Sequence, residues 1–292
     1  MTSLTSKASP SWSSDPRGSH AVRGTLVVVV PTVEGILIAA DSRATAAGRF
    51  IDDIDKIEVA PTDHPVVFAL TGLTEFLAPC PDHLSLNEWV SELRFSFRAR
   101  DIVNRYYALT PHFTLRQDSF TELARTLAVH YQRYLMTVPY LWPTLSCKPL
   151  CRLVACQINP QDHRPIYASV RFDLGRDGLA PTDLIVNTYS PTDPLDIILV
   201  GEGRYAVDHV LTGVGRPFMS EEALALFEGD FQILDVTLDQ ADRLAISIIE
   251  ATEATTALVP TPDRIGIGGP IQRAFLTSDQ VVLHSPRSPN RP

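Results

Sequence analysis

The stretch Thr25-Leu26-Val27-Val28-Val29-Val30-Pro31-Thr32-Val33-Glu34-Gly35-Ile36-Leu37-Ile38-Ala39-Ala40-Asp41-Ser42-Arg43 decides how the rest of the chain is read. A β-branched run of strand length, turn chemistry at Pro31-Thr32-Val33-Glu34-Gly35 and a second apolar run predict a β-hairpin with both strands buried. Polar residues gather at the strand ends. Thr25 opens the first strand, Asp41 ends the second, and Lys56 opens a third at residues 56–59. A fourth strand at 66–70 ends in Thr71-Gly72. Read singly, these are a strand threonine, a loop carboxylate and a solvated lysine.

Beyond Gly72 the period changes. Leu86, Trp89, Val90, Leu93, Phe97, Ile102 and Val103 recur at helical spacing within 85–107. Phe120, Leu123, Leu127, Tyr131 and Leu135 do so within 119–135. Two amphipathic helices are predicted. Strand signals return at 152–158, 165–172, 184–189 and 196–200, and helices follow at 205–211, 221–227 and 239–252. The last of these has Thr237 as its N-cap and Gln240 three residues on, a capping box. Short strands at 271–276 and 281–284 close the pattern. The expectation is one domain over residues 25–285 with an enlarged helical region at 73–150. A sheet-on-sheet core with helices outside each sheet buries both apolar faces, so the expected fold class is α/β (α+β), a four-layer αββα sandwich.

The chain has 292 residues, 45% hydrophobic and 20% charged, with ample capacity for such a core. Twenty-five Lys and Arg against 34 Asp and Glu leave a net charge of −9, the wrong sign for a protein that binds a phosphate backbone. Residues 1–24 and 286–292 are rich in Ser and Pro, with no apolar run for a signal-peptide core or a membrane span, and are expected to be disordered. A cytoplasmic protein without membrane or nucleic-acid partners follows. The four cysteines, Cys80, Cys147, Cys151 and Cys156, form no disulfide framework, and their spacing completes no zinc site, so free buried thiols are expected and no metal or cofactor. His130 reads as a helix-face residue. Arg94, Arg98, Arg100 and Arg105 read as a basic helix, solvated or in contact with another subunit.

Several segments, taken in order, resemble proteasome β-type subunits, which are N-terminal-nucleophile hydrolases. They are Gly24-Thr25, Ala39-Ala40-Asp41-Ser42-Arg43-Ala44-Thr45-Ala46, Asp55-Lys56-Ile57 and Thr71-Gly72. Leu199-Val200-Gly201-Glu202-Gly203-Arg204-Tyr205-Ala206 is similar to the family's segment before its third helix, with Glu202 where the family has Ser. Gly268-Gly269-Pro270-Ile271 begins a match to its closing strands, and Asp263 aligns weakly with its C-terminal Asp. The likeness is patchy and spans most of residues 24–284. The Thr-to-Asp separation, residue 25 to residue 41, is the family's own spacing.

The resemblance implies that residues 1–24 form a propeptide cut between Gly24 and Thr25. Thr25 would be the nucleophile and its own freed α-amine the base. A free α-amine has a reference pKa of about 7.7–8.0, which suits that task. Lys56 would lower the pKa values of the amine and hydroxyl, Asp41 would orient Lys56, and Asp263 would complete the catalytic set. Gly72 would offer an oxyanion N–H, with Arg43, Thr45, Gly201, Glu202 and Gly203 around the oxyanion and substrate. A peptide or protein substrate and a homo-oligomer, possibly a ring, are implied. Two alternatives stay open: an inactive structural subunit like the proteasome α-type, and an amidase of the same class acting on a small molecule.

Overall fold

The computed structural model describes residues 21–23, 25–46, 49–52, 54–77, 95–138, 149–175, 178–259 and 266–284. It is a mixed α+β protein whose strands pair antiparallel. Among the described residues there are three five-stranded sheets.

The first sheet is built on the hairpin. Strands β2 (Leu26–Thr32) and β3 (Gly35–Asp41) pair with Val27 opposite Ala40. β13 (Ile198–Gly201) flanks β2, while β14 (Ile271–Leu276) and β15 (Val281–His284) extend the sheet beyond β3. The second sheet runs β12 (Gly178–Thr188), β11 (Pro165–Gly175), β10 (Pro149–Ile158), β7 (Val66–Gly72) and β6 (Ile57–Ala60).

Alternate residues of single strands enter different cores, as the two-residue period of a strand requires. Val27, Val29, Ile36 and Ile38 share a cluster with Val67, Ala69, Val154 and Cys156 of the second sheet. Leu26, Val28, Val30, Leu37 and Ala39 pack with Leu244, Ala245 and Ile248 of helix α4 (Leu238–Thr256). On the second sheet, Phe68, Leu153 and Val170 pack with helices α1 (Ala99–Leu109) and α2 (Gln117–Thr137). The hairpin is therefore buried on both faces, as expected. Thr237 caps α4 in the predicted box with Gln240, and Glu34 in the hairpin turn accepts a hydrogen bond from the Leu238 N–H at 2.7 Å, anchoring that helix start to the hairpin.

The third sheet was not anticipated. It runs β5 (Arg49–Ile51), β4 (Ala44–Ala46), β1 (Ala21–Arg23), β8 (Glu75–Leu77) and β9 (Phe95–Arg98). Ala21–Arg23 belongs to the segment expected to be disordered, and three-residue strands carry no readable period of their own. Phe97 lies in a strand and not in the expected helix, which begins only at Ala99; residues 85–94 lie outside those described. Phe97 stacks on Tyr134 and meets Tyr131 edge on, so its apolar side has a partner without a helix.

The basic-helix reading is corrected for two of its arginines. Arg98 and Arg100 both reach the buried Glu75, at 3.2 and 2.7 Å, and Arg100 also reaches Glu58 at 3.0 Å. A carboxylate that is almost wholly buried demands such partners. Residues 205–211 were expected to be an α-helix. They form instead a short turn of helix at Gly203–Tyr205 followed by a π-helical segment, Ala206–Leu211. Cys151 and Cys156 are free and buried, and burial pushes both thiols well above their ordinary range; Cys80 and Cys147 lie outside the described residues. His130 is exposed on α2. No helix among the described residues is long and apolar enough to cross a membrane.

Candidate active site

Three strand ends meet beside the hairpin. Asp41 closes β3, and pairing β2 with β3 brings it opposite the start of β2, where its Oδ1 accepts the Leu26 N–H at 2.7 Å. The same oxygen accepts from Lys56 Nζ at 3.3 Å, and Oδ2 accepts from the Gly268 N–H at 3.2 Å. Lys56 Nζ also donates to the Arg43 carbonyl. Leu26 N and Lys56 Nζ thus converge on one atom, which draws the ammonium to the Thr25–Leu26 peptide. Thr25, Asp41 and Lys56 are all buried, at 3%, 0% and 6% exposure.

The electrostatics of this pair are dominated by burial. Loss of water raises the Asp41 carboxyl above the usual carboxylate range, against the pull of Lys56 and of the two backbone N–H groups. Burial likewise lowers the Lys56 ammonium, against the attraction of Asp41. Both directions mean that the charged pair is held at a cost.

Arg43 locks the loop that supplies the carbonyl. Its N–H donates to the Gly268 carbonyl at 2.8 Å, and its guanidinium bonds Asp52 at 2.7 Å, Glu253 at 3.0 Å and the Ile267 carbonyl at 3.2 Å. These partners raise its already high pKa further, the Asp52 hydrogen bond most of all.

Thr25 is held from its carbonyl side. The Glu202 N–H donates to the Thr25 carbonyl at 3.0 Å. Gly201 adopts φ +76°, and a side chain there would overlap that same carbonyl oxygen, so only glycine permits the approach. Gly72 adopts φ +84° at the end of β7, and a Cβ on it would come to 2.5 Å from the Leu150 carbonyl oxygen. Gly203 opens the turn of helix after Glu202.

The strand upstream of Thr25 completes the arrangement. β1 lies between β4 and β8, with Arg23 opposite Thr45 and Val22 opposite both Ala46 and Glu75. β1, which ends at Arg23, is therefore the middle strand of its sheet. Of the residues singled out from sequence, Thr25, Asp41, Lys56, Arg43, Gly201 and Glu202 come together. Thr45 takes part through its backbone in β4. Gly24 and Asp263 lie outside the described residues. Sequence reasoning missed Asp52, Glu253 and Gln272; a legible signal existed only for Gln272, a polar residue in phase with Ala274 and Leu276 on the inward face of β14. Among the described residues, no group of three or more His, Cys, Asp or Glu is arranged to hold a metal ion.

No family model matches the chain, and no curated protein does. Among solved structures it is similar to Anbu from Hyphomicrobium sp. strain MC1, a Gly-1 mutant, with 14% identity over 91% of this chain and 89% of that one and a TM-score of 0.47. It is also similar to the helical assembly of the Anbu complex from Pseudomonas aeruginosa, with 14% identity, 90% and 88% coverage and a TM-score of 0.47. Anbu (ancestral beta-subunit) from Yersinia bercovieri gives 16% identity, 90% and 88% coverage and a TM-score of 0.45. These findings overturn the assignment to proteasome β-type subunits: no family model supports it, and the similar structures are Anbu proteins. The short matching segments are too few and too scattered to carry a family on their own.

Proposed function

We propose that the chain is an autoprocessed N-terminal-threonine hydrolase that cleaves amide bonds, of peptides in particular. One observation carries the reading: an extended strand, Ala21–Arg23, is hydrogen-bonded on both edges and ends two positions before a buried Thr25 beside a buried Asp41–Lys56 pair. A protein that must cut its own backbone at residue 24 needs that segment extended and immobile next to the nucleophile, and strand pairing on two sides supplies both. Once the segment leaves, the slot between β4 and β8 is free to accept another extended chain through the same main-chain hydrogen bonds, which favours peptides over small amides.

The roles we propose are these. Thr25 Oγ1 attacks the carbonyl of residue 24, the ester so formed is hydrolysed by water, and Thr25 is left with a free α-amine. In turnover that amine accepts the hydroxyl proton and returns it to the departing amine. Lys56 keeps a positive charge next to the amine and lowers its proton affinity, while Asp41 orients the ammonium. Arg43 contributes its carbonyl and Gly201 gives close access to Thr25. Gly72 at the end of β7 is our assignment for the oxyanion donor. We read the three apolar clusters in succession as a four-layer αββα stack within one domain over residues 25–285. Self-association belongs to this reading, and native mass spectrometry tests it.

Intact mass of the purified protein tests the reading directly. Loss of residues 1–24 in the native chain and their retention in Thr25→Ala are expected, with fluorogenic peptide hydrolysis present only in the former. A folded, fully native chain that keeps its first 24 residues overturns the proposal.

A further inference from the structure

We infer that Gln272 is a positioning residue for Lys56, an inference that rests on the role proposed above for that lysine. Gln272 is 1% exposed and lies on β14 opposite Ala40, the residue before Asp41. Its neighbours in phase, Ala274 and Leu276, face the apolar core that contains residues of both large sheets. A glutamine on that face would be costly without full hydrogen bonding. Its side chain is engaged through both amide atoms, and these partners lie at the base of Lys56. Oε1 accepts from the Lys56 N–H at 2.5 Å and from the Ile57 N–H at 3.2 Å, and Nε2 donates to Asp55 Oδ1 at 2.5 Å.

The consequence comes from the sheet to which Lys56 leads. Among the described residues β6 is an edge strand, hydrogen-bonded to β7 alone, so the amides entering it depend on a side chain from outside their sheet. Gln272 supplies it from the other sheet, and from the strand next to the one that carries Asp41. A lysine side chain is flexible over four methylenes, so anchoring its ammonium at Asp41 and Arg43 does not fix its path unless the backbone end is anchored too. Gln272 is that second anchor. It sets the spacing between the strand that presents Asp41 and the strand that presents Lys56, independently of the ion pair itself.

The test compares Gln272→Leu, Gln272→Glu combined with Asp55→Asn, and Gln157→Leu in the full chain. Gln157 is a buried glutamine that bonds backbone groups at Leu115, His64 and Phe113, away from the site, and so reports what loss of such a residue does to stability alone. Gln272→Leu is expected to lower kcat for peptide hydrolysis by about tenfold or more with KM changed by less than about twofold, because misplacing a catalytic group by a fraction of an ångström acts on the reacting geometry. Gln272→Glu keeps an acceptor for both amides but loses the donor to Asp55 Oδ1, so it is combined with Asp55→Asn, whose amide donates in the reverse sense; the pair is expected to restore most of kcat. Equal kcat losses in Gln272→Leu and Gln157→Leu, or no recovery in the combined Gln272→Glu and Asp55→Asn variant, overturn the inference. A second readout is independent of activity: acylation of Lys56 by an amine-directed reagent, normalised to Lys148 and read by peptide mass spectrometry. Labelling is expected to rise by at least about fivefold in Gln272→Leu as the buried amine loses its anchor. If Gln272→Leu does not accumulate as folded protein, Gln272→Asn, one methylene too short to reach, takes its place with the same expectations. If the native chain neither processes itself nor cuts peptides, the Thr25 reading fails, and Lys56 labelling alone decides for Gln272: unchanged labelling overturns its role.

Discussion

Replacing Asp41 by Asn in a Thr25→Ala background, which removes the proposed nucleophile, leaves the Lys56 ammonium buried without its counter-charge. Breaking a buried ion pair from one side costs about 3–5 kcal/mol. The reciprocal change, Lys56→Met, strands the Asp41 carboxylate and is expected to cost a similar amount. The double variant should behave differently. Burial opposes both charges in the native protein, since it raises the Asp41 carboxyl and lowers the Lys56 ammonium. Removing both charges therefore returns about 1–4 kcal/mol of desolvation. Against this, the Asn keeps an acceptor for Leu26 N–H but leaves the Gly268 N–H facing an amide donor, at about 1–3 kcal/mol. The two contributions nearly cancel, so the double variant is expected within about 2 kcal/mol of the parent. Guanidinium denaturation followed by circular dichroism, with calorimetry as a second probe, measures this. At about 2 °C per kcal/mol for a chain of this size, each single variant loses roughly 6–10 °C in thermal midpoint while the double variant loses less than half of that. A double variant less stable than either single one refutes the argument, because it would mean that the charged pair stabilises the fold.

Further outcomes follow from the same geometry. In Lys56→Met the Asp41 carboxyl is raised with no cation to oppose burial. A raised carboxyl contributes stability that is complete below its unfolded pKa and is lost as pH rises through the folded value. The denaturation midpoint of Lys56→Met should therefore fall as pH rises above the ordinary carboxylate range, and a rise counts against the assignment. Gly201→Ala forces a side chain onto the Thr25 carbonyl at a positive φ; peptide hydrolysis should drop by about 10²-fold or more while the far-UV spectrum is retained, and wild-type activity would rule out close packing there. Val22→Pro removes a ladder N–H from β1, so release of residues 1–24 should slow by about tenfold in a time course of intact mass, whereas the mature enzyme should hydrolyse peptides at the parental rate. Unchanged processing would mean that the strand does not present the scissile bond.

Most elements with a strong period were legible before the structure. The hairpin, α2, the capped α4 and the closing strands were all read to within a few residues, because each carries its period over several turns or pairs. The third sheet was not, because strands of three residues contain too few alternations to register, and because Ala21–Arg23 follows a Ser- and Pro-rich stretch with no apolar run. Arg98 and Arg100 were misread for a related reason: a charge pattern cannot say whether a buried carboxylate such as Glu75 waits on another strand.

From the order of residues alone came the hairpin and the meeting of Thr25 with Asp41, because a hairpin of given length brings its first and last residues together whatever surrounds it; a role for Thr25 as nucleophile was implied only by the resemblance to proteasome β-type subunits. The tertiary structure decided the rest. It brought Gln272 across from the other sheet, clamped Arg43 between Asp52 and Glu253, and seated the strand before Thr25 between β4 and β8. These contacts join residues up to 217 positions apart, and no local period encodes which distant strand will supply a hydrogen bond.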